Sequence, residues 1–87
     1  MSEELFKQSE TKDNFDEMIE NAGDKPVFVD FYATWCGKCE MLMPDLEELA
    51  KEHADKGIFI KVDVEENEEV AEEYNIETLP TLMLIKN

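Results

Sequence analysis

The chain is 87 residues long, which limits it to one small domain with a single hydrophobic core. Its net charge of −15, from 23 acidic and 8 basic residues, excludes the basic surface that a nucleic-acid-binding protein needs. With only two cysteines, the chain is also not a small secreted scaffold held together by several disulfides.

The first half of the chain alternates between strand-like and helix-like segments. Residues 5–8 are predicted to form a short first strand, and Thr11 or Asp13 then caps a helix that Gly23 ends. The apolar positions of this helix, spaced i, i+3, i+4 and i+7, are Phe15, Met18, Ile19 and Ala22. Residues 27–33 are almost entirely apolar, which predicts a central strand that is buried on both faces of a sheet.

The second half repeats this alternation. A long helix is predicted over residues 36–54 and a second buried strand over residues 58–64. A glutamate-rich link over residues 65–69 leads into a third helix, and residues 81–85 form the last strand. The inward-facing residues of the third helix are Val70, Ala71 and Tyr74. Strands that alternate with helices predict an α/β sheet with parallel neighbours and helices on both faces.

The most informative motif is the Cys-x-x-Cys pair of Cys36 and Cys39, which closely follows the first central strand. In the first turn of a helix, this spacing brings the two sulfurs within bonding reach. It also directs the positive end of the helix dipole at Cys36, which favours its thiolate form. Because the thiolate is the species that attacks disulfides, the motif predicts thiol–disulfide exchange. We expect Cys36 to be the partly exposed nucleophile and Cys39 to be the resolving thiol.

Two other interpretations of the cysteine pair remain open. One is a redox-silent docking module, and the other is a metal-binding module, since Cys-x-x-Cys supplies half of the ligands of many zinc sites. His53 is the only histidine, and it lies far along the helix that begins at Cys36. It therefore cannot complete such a site within the chain, which leaves a metal cluster shared between two chains as the remaining metal-binding arrangement.

Four stretches of the sequence form a specific combined pattern. They are Val29-Asp30-Phe31-Tyr32-Ala33-Thr34-Trp35-Cys36-Gly37-x-Cys39, Pro44, Lys61-Val62-Asp63-Val64 and Thr78-Leu79-Pro80-Thr81-Leu82. In residues and in spacing, the pattern resembles the thioredoxin family. The resemblance implies a thioredoxin-like central mixed sheet of about four strands with helices on both faces. It also implies that residues 1–87 are a single domain that lacks the family's final strand and C-terminal helix.

The resemblance further implies a protein-disulfide reductase that acts as an electron carrier. The reduced Cys36–Cys39 pair passes two electrons to a disulfide in a target protein. A flavin- and NADPH-dependent thioredoxin reductase then restores the dithiol. The protein itself binds no cofactor, and its redox centre is the disulfide between these two cysteines.

Two residues beside the cysteines depart from the family pattern. Lys38 stands where the family usually has proline, and Glu40 stands where it usually has a basic residue. Lys38 should favour the Cys36 thiolate and Glu40 should oppose it, so the reduction potential stays open. Because the potential separates reductants from oxidants, a disulfide oxidase or isomerase of the same fold is an alternative function.

Two charged residues interrupt the central strands. Asp30 lies in an apolar run, where a lone carboxylate is costly and burial should raise its pKa. The resemblance gives it the role of exchanging a proton with Cys39. In the family, a lysine at the position of Lys61 approaches the buried aspartate and moderates its pKa. The alternative for Asp30 is a structural carboxylate that is hydrogen-bonded by the backbone or paired with Lys61. The alternative for Lys61 is an ordinary strand lysine whose amino group reaches solvent.

The remaining candidates concern the docking of a target. We expect Trp35 to form an apolar wall beside the sulfurs, Gly37 to allow close approach of a partner backbone, and Lys38 to contact the target. By resemblance, the peptide bond before Pro80 is cis, and the Leu79 backbone pairs with an extended target segment. The alternative from the sequence alone is a trans proline that opens the last strand.

Two expectations concern the surroundings of the protein. No signal peptide or membrane-spanning run is visible, and a lone Cys-x-x-Cys pair fits a reducing compartment, so we expect a cytoplasmic protein without a membrane partner. Without the family's final strand, residues 81–85 would lie at an open sheet edge, with Met83 and Ile85 or their neighbours exposed. Open edges promote self-association, so we expect an oligomeric or destabilised chain unless the natural protein is longer.

Overall fold

The computed structural model describes residues 5–86. Its elements in chain order are β1 (Lys7–Ser9), α1 (Lys12–Asn21), β2 (Val27–Tyr32), α2 (Gly37–Glu52), β3 (Ile58–Asp63), α3 (Glu68–Glu73) and β4 (Thr81–Ile85). Every predicted element is present, although β1 begins later than expected because residues 7–9 are the ones that pair with β3. Within the described residues, no helix is long and apolar enough to cross a membrane.

The strands form one mixed sheet in the order β1-β3-β2-β4. β1, β3 and β2 run parallel, and β4 runs antiparallel to β2. In the middle of the sheet, Val29 lies opposite Ile60 of β3 and Met83 of β4. The predicted mixed sheet of about four strands is therefore confirmed.

The alternating side chains of β2 enter two separate cores, one on each face of the sheet, rather than the single core that the chain length predicted. On one face of the sheet, Val27, Val29 and Phe31 pack with Phe15 of α1 and Val70 of α3. On the other face, Phe28 packs with Leu46 and Ala50 of α2. The helices thus cover both faces, with α1 and α3 together on one and α2 alone on the other.

The two ends of α1 follow from local sequence. The hydroxyl group of Thr11 accepts a hydrogen bond from the backbone N–H of Asn14 at 3.0 Å, so Thr11 rather than Asp13 is the cap. Beyond the other end, Gly23 has a φ angle of +60°, a left-handed conformation that glycine adopts without steric cost. This turn redirects the chain towards β2.

β4 lies at one edge of the sheet and pairs only with β2 within residues 5–86. Met83 and Ile85 are half-buried against the core that α1 and α3 cover. Leu82 and Leu84 alternate with them and are 42% and 60% exposed. The apolar side chains exposed at this edge are therefore the neighbours of Met83 and Ile85, on the face that also carries α2.

Candidate active site

The Cys36–Cys39 pair lies where the loop after β2 enters α2. The two residues form a disulfide, and their Cα atoms are 5.3 Å apart. Cys36 is the N-cap residue of α2, and Cys39 lies inside its first turn. Cys36 is 8% exposed and Cys39 is 6% exposed, so in the disulfide form Cys36 is more deeply buried than we expected of the nucleophile.

The start of α2 gives the Cys36 sulfur a positive environment. Its Sγ atom accepts a hydrogen bond from the backbone N–H of Cys39 at 3.2 Å. When the disulfide opens, the same N–H group and the helix dipole stabilise negative charge on this sulfur. The helix therefore provides the stabilisation that a Cys36 thiolate requires.

Three segments converge on the disulfide. Tyr32 at the end of β2, Val64 just after β3 and Leu79 shortly before β4 pack against the cluster that contains both cysteines. They meet because the parallel strands β2 and β3 end at the sheet edge where the antiparallel strand β4 begins. The peptide bond between Leu79 and Pro80 is cis, as the resemblance implied, and Leu79 brings it beside the disulfide.

A cavity of about 390 Å³ opens beside the disulfide. Its lining consists of Asp30, Tyr32, Ala33, Thr34, Cys36, Cys39, Glu40, Met43 and Lys61. Asp30 is only 2% exposed, and its Oδ1 atom has no hydrogen-bond partner among the described residues. Burial raises the pKa of Asp30 to about 6, and the positive charge of Lys61 partly opposes this rise. The carboxyl group can therefore gain or lose a proton near neutral pH.

Lys61 is half-buried and lines the same cavity as Asp30. The two residues are register partners on β3 and β2. Within residues 5–86, the ion pairs closer than 4 Å are both made by Lys12, so Lys61 forms no salt bridge with Asp30. Lys61 acts on the pKa of Asp30 through space rather than by direct contact.

The predicted docking residues lie on the surface around the disulfide. Trp35 is 68% exposed, and Gly37 and Lys38 are exposed at the start of α2. A Cβ atom built on Gly37 meets no heavy atom within 4 Å, so packing within the chain does not require glycine there. Met41 is 81% exposed and adds apolar surface further along the helix. Together these residues form an open surface next to the buried disulfide.

The contacts of two polar side chains near the site, Gln8 and Asn67, were not predicted from the sequence. The side-chain amide of Gln8 donates a hydrogen bond to the Tyr32 hydroxyl at 2.7 Å. Asn67 is 3% exposed and donates to the backbone carbonyls of Ser9 and Asp63, both at 3.1 Å. The position of Asn67 before a helix suggests a cap, but its side chain makes no capping bond and instead joins β1 to the loop after β3.

The metal-binding alternative finds no support in the described part of the chain. Residues 5–86 contain no group of three or more histidine, cysteine or carboxylate side chains that could hold a metal ion. His53 lines a different hollow, together with Phe28 and Leu84. The two cysteines bind each other instead.

Comparison with known proteins gives consistent matches. The family model described as Thioredoxin matches residues 6–87. A thioredoxin of Alicyclobacillus acidocaldarius subsp. acidocaldarius is 50% identical over 76 residues, which cover 87% of this chain and 70% of that protein. Thioredoxin-T of Drosophila melanogaster is 47% identical over 75 residues, covering 86% of this chain and 48% of the relative, so the chain spans about half of its length. The structure of Fasciola hepatica thioredoxin superposes with a TM-score of 0.88 at 37% identity, covering 93% of this chain and 77% of that one.

Proposed function

This chain belongs to the thioredoxin family, and from that membership we propose that it reduces disulfide bonds of target proteins through Cys36 and Cys39. The observation that carries the proposal is the closed disulfide at the N-terminus of α2, beside the buried carboxyl group of Asp30. In its reduced form this pair holds the two electrons that a target disulfide takes up. The protein thus works as an electron carrier and needs no bound cofactor.

The first step is attack by Cys36. Its thiolate bonds to one sulfur of the target disulfide, the target S–S bond breaks, and the second target sulfur leaves as a thiolate that takes up a proton. The backbone N–H of Cys39 and the helix dipole stabilise the attacking thiolate. The product is a mixed disulfide between Cys36 and the target.

The second step is attack by Cys39. Asp30 lines the same cavity and accepts the Cys39 proton. The Cys39 thiolate then bonds to the Cys36 sulfur, the mixed disulfide breaks, and the target sulfur that was bonded to Cys36 leaves and is protonated. With a pKa of about 6, Asp30 is ionised at neutral pH and still basic enough for this transfer, and Lys61 keeps the pKa from rising further.

Targets dock on the surface around the disulfide. Trp35 offers an apolar wall, Gly37 allows the target backbone to approach, and Lys38 contacts residues that flank the target cysteine. Leu79 packs against the disulfide cluster, and its backbone pairs with an extended target segment as an added strand, with Pro80 beside the same segment.

The proposal extends to the location and partners of the protein. We propose a cytoplasmic location, because an electron carrier of this kind needs a compartment in which its dithiol is restored. A flavin- and NADPH-dependent thioredoxin reductase is the proposed donor of electrons. Residues 1–87 act as one domain, and its net charge of −15 argues against a nucleic-acid partner.

Self-association is a separate proposal, supported by the edge strand β4. Leu82 and Leu84 are exposed beside an edge that has no neighbouring strand within the described residues. Unpaired edges with exposed apolar side chains favour pairing with another chain. We therefore propose that copies of this chain associate through β4.

A redox titration of the cysteine pair tests the assignment as a reductase. We expect a reversible two-electron transition with a midpoint more negative than about −230 mV, as for dithiol reductants. A midpoint less negative than about −180 mV would instead identify an oxidase or isomerase. If no intramolecular disulfide forms at any potential, the chain is redox-silent and the docking interpretation replaces this one.

Two serine variants separate the roles of the cysteines. Cys36→Ser should abolish reduction of a disulfide-containing target protein. Cys39→Ser should stop after the first step and accumulate a mixed disulfide, which mass spectrometry detects as an adduct that excess dithiothreitol removes. Target reduction by Cys36→Ser at the wild-type rate would refute the proposed mechanism.

A further inference from the structure

The exposed charges around the disulfide are mostly negative. Tyr32, Val64 and Leu79 contact the disulfide cluster. Within two positions of these residues or of either cysteine, the exposed charged residues are Glu40, Glu65, Glu66, Glu77 and Lys38. We call the four glutamates the acidic rim. Of these five exposed charges, only that of Lys38 is positive.

Glu40 is the member of the acidic rim that lies closest to the chemistry. Its backbone N–H donates a hydrogen bond to the carbonyl oxygen of Cys36 at 3.2 Å. Glu40 also lines the cavity that contains Asp30, whose buried Oδ1 atom has no hydrogen-bond partner among the described residues. The cavity is therefore lined by two carboxyl groups, those of Asp30 and Glu40, and by one positively charged side chain, that of Lys61.

The rim glutamates are also available to a partner. Within the described residues, both ion pairs are made by Lys12, with Asp16 and Glu73. No rim glutamate therefore forms an ion pair within 4 Å with a basic side chain of residues 5–86. Unpaired charges of one sign around a site attract partners of opposite charge and speed their association.

We propose that the acidic rim selects target disulfides that are flanked by lysine or arginine, and that Glu40 binds the flanking basic side chain. The inference rests on the proposed reductase function and adds a substrate class to it. The exchange itself is unchanged: two electrons pass from the Cys36–Cys39 dithiol to the target disulfide, and two protons end on the target sulfurs. What the rim changes is the rate at which basic and acidic targets reach Cys36.

Three synthetic peptides test this preference. They have the same length and one intramolecular disulfide, and their flanking residues are lysine, glutamine or glutamate. Reduced protein is mixed with excess peptide, the reaction is stopped with acid, and peptide thiols are counted by mass spectrometry after alkylation. The second-order rate constant is measured at about 0.1 M and 1 M salt, between which the screening length falls from about 10 Å to about 3 Å.

Variants locate the effect on the surface. Glu40→Gln and the double variant Glu65→Gln/Glu66→Gln remove rim charges. The matched control is Glu47→Gln/Glu48→Gln, because these exposed residues lie further along α2, eight and nine positions after Cys39. Each rate is divided by that of the glutamine peptide with the same variant, which removes any effect of the substitution on the reduction potential.

We expect the lysine peptide to react faster than the glutamate peptide at low salt, with most of the difference lost at high salt. Each rim glutamate removed should lower the lysine-to-glutamine rate ratio about twofold to fivefold, the size of an exposed charge pair, while the control variant keeps it. Equal rates for the three peptides, or an equal loss in the control variant, would overturn the inference and leave the reductase function intact. If wild-type protein reduces none of the peptides or a disulfide-containing target protein, the proposed function itself fails and the inference falls with it.

Discussion

Asp30 and Lys61 are register partners on the two central strands, and both line the cavity beside the disulfide. No salt bridge joins them within residues 5–86, because the ion pairs found there belong to Lys12. Burial raises the pKa of Asp30, and the charge of Lys61 opposes that rise from a distance. A single side chain on the neighbouring strand therefore tunes the group that we propose as the proton acceptor for Cys39.

Removing the charge of Lys61 should raise the pKa of Asp30 above about 6, because only the burial effect then remains. The Lys61→Met variant keeps the aliphatic stem, and carboxyl ¹³C NMR over a pH series reports the titration. Asp30→Asn identifies the Asp30 signal. The Lys51→Met control lies at the far end of α2 and should leave the titration in place. An unchanged pKa in Lys61→Met would contradict the through-space coupling.

The same carboxyl group should make stability depend on pH. The pKa of Asp30 rises from 3.8 to about 6 on folding, so the folded chain holds the proton more tightly than the unfolded chain. The contribution of Asp30 to stability is therefore full below pH 3.8 and is lost as the pH rises through about 6. At about 1.4 kcal/mol per pKa unit, the ionised form costs about 3 kcal/mol.

Asp30→Asn should accordingly be more stable than the wild type at pH 7.5, by up to this amount, and the gain should disappear near pH 3.5. Urea unfolding of the disulfide form at the two pH values measures the stability difference between the variant and the wild type at each pH. Asp24→Asn, at an exposed position, is the control and should change stability little. An equal gain from Asp30→Asn at both pH values would show that the buried charge is not its source.

Much of the site could be predicted because short motifs determine it locally. The spacing of Cys36 and Cys39 requires only one helical turn to bring the sulfurs together, and the structure contains that disulfide. The cis bond before Pro80 was implied by the resemblance to the thioredoxin family, whereas the sequence alone also allowed a trans proline. β2 and β3 were recognisable because continuous apolar runs are typical of strands that helices cover on both faces.

Features that depend on distant elements could not be predicted. The hydrogen bond from Asn67 to Ser9 joins residues 58 positions apart, and no local pattern encodes it. The side-chain alternation of β4 was evident, but only its pairing with β2 shows that Leu84, rather than Met83, is exposed. The absence of a salt bridge at Lys61 likewise depends on the packing around the cavity.

Gly37 and Gly57 should respond differently to alanine. Gly37→Ala has room for the new methyl group and should keep or gain stability, by up to about 1 kcal/mol, because alanine favours helices. Gly57→Ala should destabilise the chain, since its Cβ atom would lie 3.0 Å from the carbonyl oxygen of Pro26. Thermal unfolding measures both effects.

If Gly37 serves the approach of a target backbone, Gly37→Ala should reduce a protein disulfide more slowly than the wild type does. A small aromatic disulfide that needs no docking should react at the wild-type rate with the same variant. Equal rates of the variant and the wild type on both substrates would show that Gly37 takes no part in the docking of a target.

Asn67 should be important for stability although it is not part of the chemistry. Asn67→Ala removes the side-chain donor of the buried Ser9 carbonyl and the acceptor of the Ser9 hydroxyl, which should cost about 1–3 kcal/mol, while the Asp63 carbonyl keeps the backbone N–H of residue 67 at 2.9 Å. Asn21→Ala, at the exposed end of α1, is the control and should cost less than about 0.5 kcal/mol. Urea unfolding compares the two variants, and a loss no larger than the control's would mean that solvent satisfies the polar groups of Ser9.

The open edge of β4 should determine the oligomeric state of the 87-residue chain. Leu84 is 60% exposed on the face that also carries Leu82, and pairing of β4 with a second copy would remove both from water. Sedimentation should therefore show association that grows with protein concentration, and Leu84→Lys should shift the chain towards monomer because it places a charge in the contact. Met41→Lys introduces the same charge at a more exposed apolar residue on α2 and should leave the association in place. A wild-type chain that stays monomeric at every concentration would show that the edge is protected in another way.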